Sequence, residues 1–302
     1  MSRWIKRTGY ALGGLVVLVL VTLGVVYGWS EWRFRRTYSV PAEQVAVSND
    51  SAVIARGEHI VTAIAGCVGC HGEGLKGTAM IDAPEMGRLV ALNLTKGEGG
   101  VGGQLTPEII ERAVRHGIGH DSRALRVMPA DEFQYLTDED LRAVVSYVLN
   151  VAPVNNTLPA SYLKLLPRVL LVTGMVPFLP AEKVRDAPGK PMTIAPARTP
   201  EYGGYLAIVA GCKGCHGPGL SGGKIENGDP AWGPAANLTP SGNLGKWTEA
   251  EFMQTLRTGK RPDGSPLKDP MPWQTVGHMT DDELHALWVY LRSVPARTFG
   301  TR

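Results

Sequence analysis

Two five-residue runs carry the chemistry of this chain. They are Cys67-Val68-Gly69-Cys70-His71 and Cys212-Lys213-Gly214-Cys215-His216, and together they hold all 4 cysteines. The C-x-x-C-H spacing reads as a site of c-type haem attachment. Two thiols add across the two vinyl groups as thioethers, and the adjacent histidine then reaches the iron from the same side. Cys67, Cys70, Cys212 and Cys215 are accordingly assigned to thioethers, and His71 and His216 to proximal iron ligation. The cofactors expected are two covalently bound haem c groups. A structural zinc site needs four converging ligands, whereas each run supplies three with no fourth nearby. A thioredoxin-like dithiol needs a βαβ setting, and none is legible around either run.

A second axial ligand must come from further along the chain. Met128 and Met271 are matched between the two halves, and each is followed by proline. A methionine thioether closes the iron's coordination sphere and raises its potential. Met80 and Met86 have no counterpart, Met279 aligns with Leu136, and Met175 and Met192 fall between the halves. His59, His116, His120, His278 and His285 have no matching histidine either. The expected iron ligands are therefore His71 with Met128 and His216 with Met271.

The matching extends beyond the motifs. Asn93-Leu94-Thr95 recurs as Asn237-Leu238-Thr239, Thr106 as Thr248, Thr137-Asp138 as Thr280-Asp281, and Tyr147 as Tyr290. The offset drifts only between 142 and 145 residues over these ordered anchors, which identifies a tandem repeat. The expected organisation is an anchor over 1–36, a first unit over 37–153, a linker over 154–199 and a second unit over 200–302. Each unit reads as short helices around long loops, rich in the chain's 37 glycines and 22 prolines. One helix leads into each motif, over about 52–65 and 201–210. A second opens at Thr106-Pro107 or at Thr248, where Thr248 and Glu251 fit a capping box. The last opens at Thr137 or Thr280, with a second box between Thr280 and Glu283. Its apolar stripe is Leu141, Val144, Val145 and Val148, matched by Leu284, Leu287, Trp288 and Leu291. No useful alternating strand pattern is present, so the fold class expected is all-α and loop-rich.

No charged residue occurs from Thr8 to Ser30. A helix over 10–29 would be about 30 Å long, the thickness of a bilayer core. Trp4, Tyr10, Tyr27, Trp29 and Trp32 flank it as an interfacial belt would. A retained transmembrane anchor is expected over a cleaved signal peptide, because no A-x-A site follows the apolar run. The linker stretch from Val169 to Leu179 is too short to span and is expected to pack between the units. A net charge of +3 excludes nucleic-acid binding through bulk charge. Residues 97–102 match G-x-G-x-x-G literally, but no strand leads into them and no helix follows, so no nucleotide cofactor is expected.

The ordered motifs resemble class I c-type cytochrome domains. The second unit, with Asn237-Leu238-Thr239-Pro240, Gly245-Lys246-Trp247-Thr248 and Pro270-Met271-Pro272, is especially similar to the cytochrome subunits of membrane-bound alcohol, aldehyde and gluconate dehydrogenases. Those subunits usually carry three haem motifs, and this sequence shows two. The resemblance implies electron transfer in the periplasm rather than catalysis, with the N-terminus cytoplasmic and the haem domains outside the bacterial inner membrane. It implies a redox partner, a dehydrogenase or oxidase subunit. It also implies that Asn93, Asn237 and Trp247 line the haem edges. Leu105 stands where Trp247 stands in the second unit, so two resolvable haem potentials are expected. A free-standing membrane-anchored carrier is the alternative. A dihaem peroxidase or a gas sensor would need an iron with an open sixth position, which paired methionines argue against.

Overall fold

The computed structural model describes residues 3–301 except 42, 227 and 230. The charge-free N-terminal run forms one helix, α1, Arg3–Arg35, longer than expected because it continues into the flanking basic residues. Only Ser30 and Phe34 of it are buried. By length and composition α1 is able to cross a membrane.

The first unit begins with α2, Ser51–His59, which continues as a π-turn over Ile60–Ile64. The haem motif forms the single turn α3, Cys67–His71. There follow α4, Pro107–His116, α5, Ala130–Phe133, and α6, Asp138–Asn150. The second unit repeats the order with α9, Pro200–Val209, α10, Cys212–His216, α11, Glu249–Thr258, α12, Trp273–Val276, and α13, Asp281–Ser293. Threonine caps open the longer helices of both units, and the boxes Thr248–Glu251 and Thr280–Glu283 are both formed. Each such cap satisfies backbone N–H groups that a helix start leaves unbonded.

In each unit the first helix crosses the last at a glycine. A Cβ on Gly57 would lie 2.0 Å from the Ala143 carbonyl oxygen, and one on Gly203 would lie 1.9 Å from that of Ala286. Tyr147 and Tyr290 close the same two crossings. The apolar stripes of α6 and α13 feed one continuous core, which includes Ile60, Val61, Leu141 and Val144 with Tyr202, Leu206, Leu284 and Leu287.

The all-α expectation needs one correction. Strand β1, Thr78–Ala83, pairs antiparallel with β2, Gly87–Ala91, and β2 pairs with β3, Tyr162–Leu163. A bulge between Ala79 and Ile81 shifts the register. A short, half-solvated hairpin with a bulge shows no clean period of two, which hid it from sequence reading. Among the described residues the second unit shows, in place of this hairpin, a bridge between Gly223 and Ala235.

The segment expected between the units lies elsewhere. It supplies β3 to the first unit's sheet, then α7, Leu165–Val172, which packs on α1, and α8, Pro180–Asp186, which packs on α4 and α5. Leu171, Phe178 and Leu179 bury Phe34 in a satellite cluster. The apolar run from Val169 to Leu179 therefore serves as a socket for the end of α1. Arg33 pairs with Glu182, and Arg168 with Glu31, across the same contact.

Candidate functional site

Each C-x-x-C-H run is a five-residue helical turn held between two glycines with positive φ. Gly66 (φ 62°) and Gly72 (φ 72°) bracket the first, Gly211 (φ 70°) and Gly217 (φ 79°) the second. The left-handed region is open to glycine and costly for other residues. One helical turn sets cysteines three apart on one face, with the histidine following. After each motif a leucine also takes positive φ, Leu75 (57°) and Leu220 (58°). Each accepts a backbone bond from the Asn-Leu-Thr loop, Leu94 to Leu75 at 2.9 Å and Leu238 to Leu220 at 2.8 Å.

That loop orients the histidines. His71 Nδ1 lies 2.9 Å from the Leu92 carbonyl oxygen, and His216 Nδ1 lies 2.7 Å from that of Ala236. A carbonyl accepts only, so Nδ1 carries the proton and Nε2 is the basic nitrogen in both rings. A backbone bond of this kind fixes the tautomer and orientation of an iron-binding imidazole. Burial lowers the pKa of His71, against the opposing pull of the Leu92 carbonyl, and so favours the neutral ring that metals bind.

The thiols are set for addition rather than for ionic chemistry. Burial pushes Cys67 up to about 12, and does the same for Cys212, where Glu132 adds to the effect. All four cysteines are unbridged. Cys67, Met128 and Leu94 of the first unit and Cys212, Met271 and Leu238 of the second are all partly buried and packed against the core. The donor set fits two haem c groups, one in each unit.

Met128 and Met271 sit in equivalent loops. A backbone bridge stands shortly before each methionine, between Ile118 and Ala124 in one unit and between Lys260 and Pro266 in the other. Val127, immediately before Met128, has φ 65°. This is a strained value for a β-branched residue. Its N–H donates to the Phe178 carbonyl oxygen at 3.0 Å, so the α1 socket helps to hold this turn. Pro129 and Pro272 then begin α5 and α12.

Asn93 and Asn237 are buried, and their amides serve the backbone. Asn93 Nδ2 donates to the Val154 carbonyl at 2.8 Å, and its Oδ1 accepts from the Thr95 N–H at 3.0 Å. Asn237 does the same with Arg297 at 2.8 Å and Thr239 at 2.9 Å. Both asparagines thus tie the loop carrying the histidine's carbonyl partner to the chain that follows the last helix. Trp247 and Leu105 occupy equivalent places, each after a 3-10 turn and each packed on the core.

Sequence reading missed the contact between the units. Arg56 of α2 bonds Asp140 of its own unit (3.0 Å), and also Glu283 (2.9 Å) and Tyr202 (3.0 Å) of the other. His59 Nε2 lies 2.6 Å from Glu283, and Tyr205 donates to Asp140 at 2.6 Å. Burial alone would raise the pKa of Glu283. His59, the Thr280 N–H and Arg56 outweigh it and pull the carboxyl down to about 2. Glu132 of α5 packs on Gly211 and Gly214 of the second motif. Burial and the Asp131 charge raise it to about 7, with Lys183 opposing. The signal was present in the repeat. Arg56 aligns with Tyr202, His59 with Tyr205 and Asp140 with Glu283, so polar residues occupy inward positions of otherwise apolar helices in both units.

Comparison with known proteins matches each unit separately. The family described as cytochrome c oxidase, cbb3-type, subunit III matches residues 52–148, and the cytochrome c family matches residues 201–295. Over 283 residues the chain is 29% identical to the fructose dehydrogenase cytochrome subunit of Gluconobacter japonicus, covering 85% of this chain and 56% of that protein. It is 30% identical over 279 residues to the cytochrome c subunit of a quinone-type alcohol dehydrogenase from Gluconacetobacter polyoxogenes, covering 82% and 57%. It is 27% identical to the gluconate 2-dehydrogenase cytochrome c subunit of Pantoea cypripedii, covering 83% and 61%. The chain thus spans little more than half the length of these relatives.

Proposed function

The chain carries two tandem cytochrome c domains, and on that premise we propose that it is a dihaem electron-transfer subunit of a membrane-bound dehydrogenase. Bound haem iron supplies one-electron redox chemistry; the protein supplies attachment, axial ligands, burial and a docking surface. Cys67, Cys70, Cys212 and Cys215 form the thioethers. His71 and His216 present Nε2, held by the Leu92 and Ala236 carbonyls. Met128 and Met271 would supply the second iron ligand in each unit, which would leave neither iron open to a small ligand. Nothing in this arrangement acts on an organic substrate. The observation that carries the reading is the duplicated histidine geometry on one continuous core.

In the same reading α1 is a retained anchor. Its N-terminus is cytoplasmic and both haem domains lie in the periplasm. The Arg168 guanidinium lies 4.9 Å from the centre of the Tyr27 ring at the end of the apolar run, and this contact supports retention, because cleavage just after that run would remove it. A free-standing carrier shares all of this chemistry and differs only in lacking a fixed partner. The test is mild detergent extraction followed by affinity purification of the full chain. The expected result is two haems per chain and a dehydrogenase subunit whose substrate reduces both. A chain that purifies alone, and is reduced equally well by several soluble donors, would support the free carrier instead.

A further inference from the structure

The apolar edge of the α7 segment has no protein cover. Leu165 and Leu166 are 37% and 42% exposed, next to Tyr162 at 45%. Their place in the fold is set by α1. The Arg168 guanidinium lies 4.9 Å from the centre of the Tyr27 ring and donates to Ser30 Oγ at 2.9 Å. Three residues further along α7, the Leu171 carbonyl accepts from Arg33 at 2.7 Å. The two helices therefore run side by side in the same direction. At 1.5 Å per residue, Leu165 stands about 4.5 Å beyond Arg168 toward the charge-free part of α1. That is the level of Tyr27 and Trp29, both exposed.

We propose that Leu165, Leu166 and Tyr162 insert into the lipid headgroup region beside α1, so that the first cytochrome domain rests on the bilayer. This rests on the reading of α1 as a membrane anchor. The occupant is lipid because the edge continues an aromatic belt of Tyr27, Trp29 and Trp32 on α1, and aromatic rings of this kind favour the interface. Exposed Lys164 adjoins this edge and exposed Arg36 follows the end of α1, and both suit anionic headgroups. Burying a small apolar edge beside a spanning helix adds little affinity. It fixes orientation, and it would hold the first haem site at a constant height above the membrane.

The test uses the full-length holoprotein in vesicles of phosphatidylcholine and phosphatidylglycerol with brominated acyl chains. All native cysteines are consumed by haem, so an added cysteine takes a fluorescent label alone. Labels are placed by Leu18→Cys in α1, Leu166→Cys in α7 and Lys260→Cys in the second unit. The expected result is strong quenching at 18, clear but shallower quenching at 166, and none at 260. Quenching at 18 with a position-166 signal equal to that at 260 would overturn the proposal and leave the anchor standing. It would mean that water or a partner protein covers the edge. Absence of quenching at 18 would overturn the anchor reading and the proposal with it.

Discussion

The two cytochrome units share a frame and differ in what leans on it. Both have the glycine-bracketed motif, the histidine held by a loop carbonyl, the helix crossing at glycine and a backbone bridge shortly before the paired methionine. The first unit adds a three-stranded sheet, the α7–α8 segment and the end of α1. Among the described residues the second has no counterpart of these additions beyond the bridge between Gly223 and Ala235. Residues 224–229 of that stretch include Lys224, Glu226, Gly228 and Asp229, and charged and glycine residues pair poorly as strands. The shared parts are those that would hold haem. The parts that differ attach one unit to α1. The lesson is that duplication preserved the ligand geometry and left the outer surface free to specialise.

The largest effects should be equal in the two units. Cys70→Ser and Cys215→Ser should each lower the haem content of the chain from two groups to one, as read by its alkaline pyridine spectrum. If one substitution removed both haems, the units would not be independent sites. Next in size are the crossings. Gly57→Ala and Gly203→Ala each drive a Cβ to within 2.0 Å of a carbonyl oxygen, and overpacking of this kind costs about 1–3 kcal/mol or more. Both should lower Tm clearly. A tolerated alanine at one crossing would show that the frames differ.

Much of this frame was legible in the sequence. The C-x-x-C-H runs, the Asn-Leu-Thr segments, the threonine caps and the paired methionines are local patterns whose physics is nearly independent of context. What escaped has the opposite character. Gly57 and Gly203 look like weak helix positions, and only the carbonyls of Ala143 and Ala286 across the crossing explain them. The socket for Phe34 depends on residues more than a hundred positions away. The Arg56–Asp140–Glu283 cluster joins both units, and the first unit read alone shows only its Arg56–Asp140 half. The asparagines' hydrogen bonds, which pin a loop to the chain beyond the last helix, likewise depend on distant partners, Val154 and Arg297.

A smaller effect sharpens the contact between the units. Tyr205→Phe removes a bond to the Asp140 carboxylate, and such a bond to a charged group contributes about 1.5–3 kcal/mol. Denaturant unfolding should show the loss. The pH dependence follows from Glu283, whose carboxyl is held at about 2 in the fold against an ordinary 4.5. The stability it contributes is full above 4.5 and is lost as the pH falls toward 2. Glu283→Gln keeps the helix cap and should flatten that acid limb. An unchanged limb would place the acid sensitivity elsewhere. The smallest effect is expected at Trp247. An indole N–H directed at a haem propionate would stabilise the reduced state, so Trp247→Leu should lower the second midpoint toward the first. A redox titration that fits one midpoint before and after the change would remove this difference between the units.

The claim that both irons are closed is tested most directly by a carbon monoxide difference spectrum of the reduced, detergent-solubilised holoprotein. Carbon monoxide binds ferrous haem only where the sixth position is vacant or easily vacated. The account predicts no spectral change in the natural chain, and a change amounting to one haem in Met128→Ala and likewise in Met271→Ala. A one-haem change in the natural chain would contradict it, and would mark one of the two sites as a place where small molecules react.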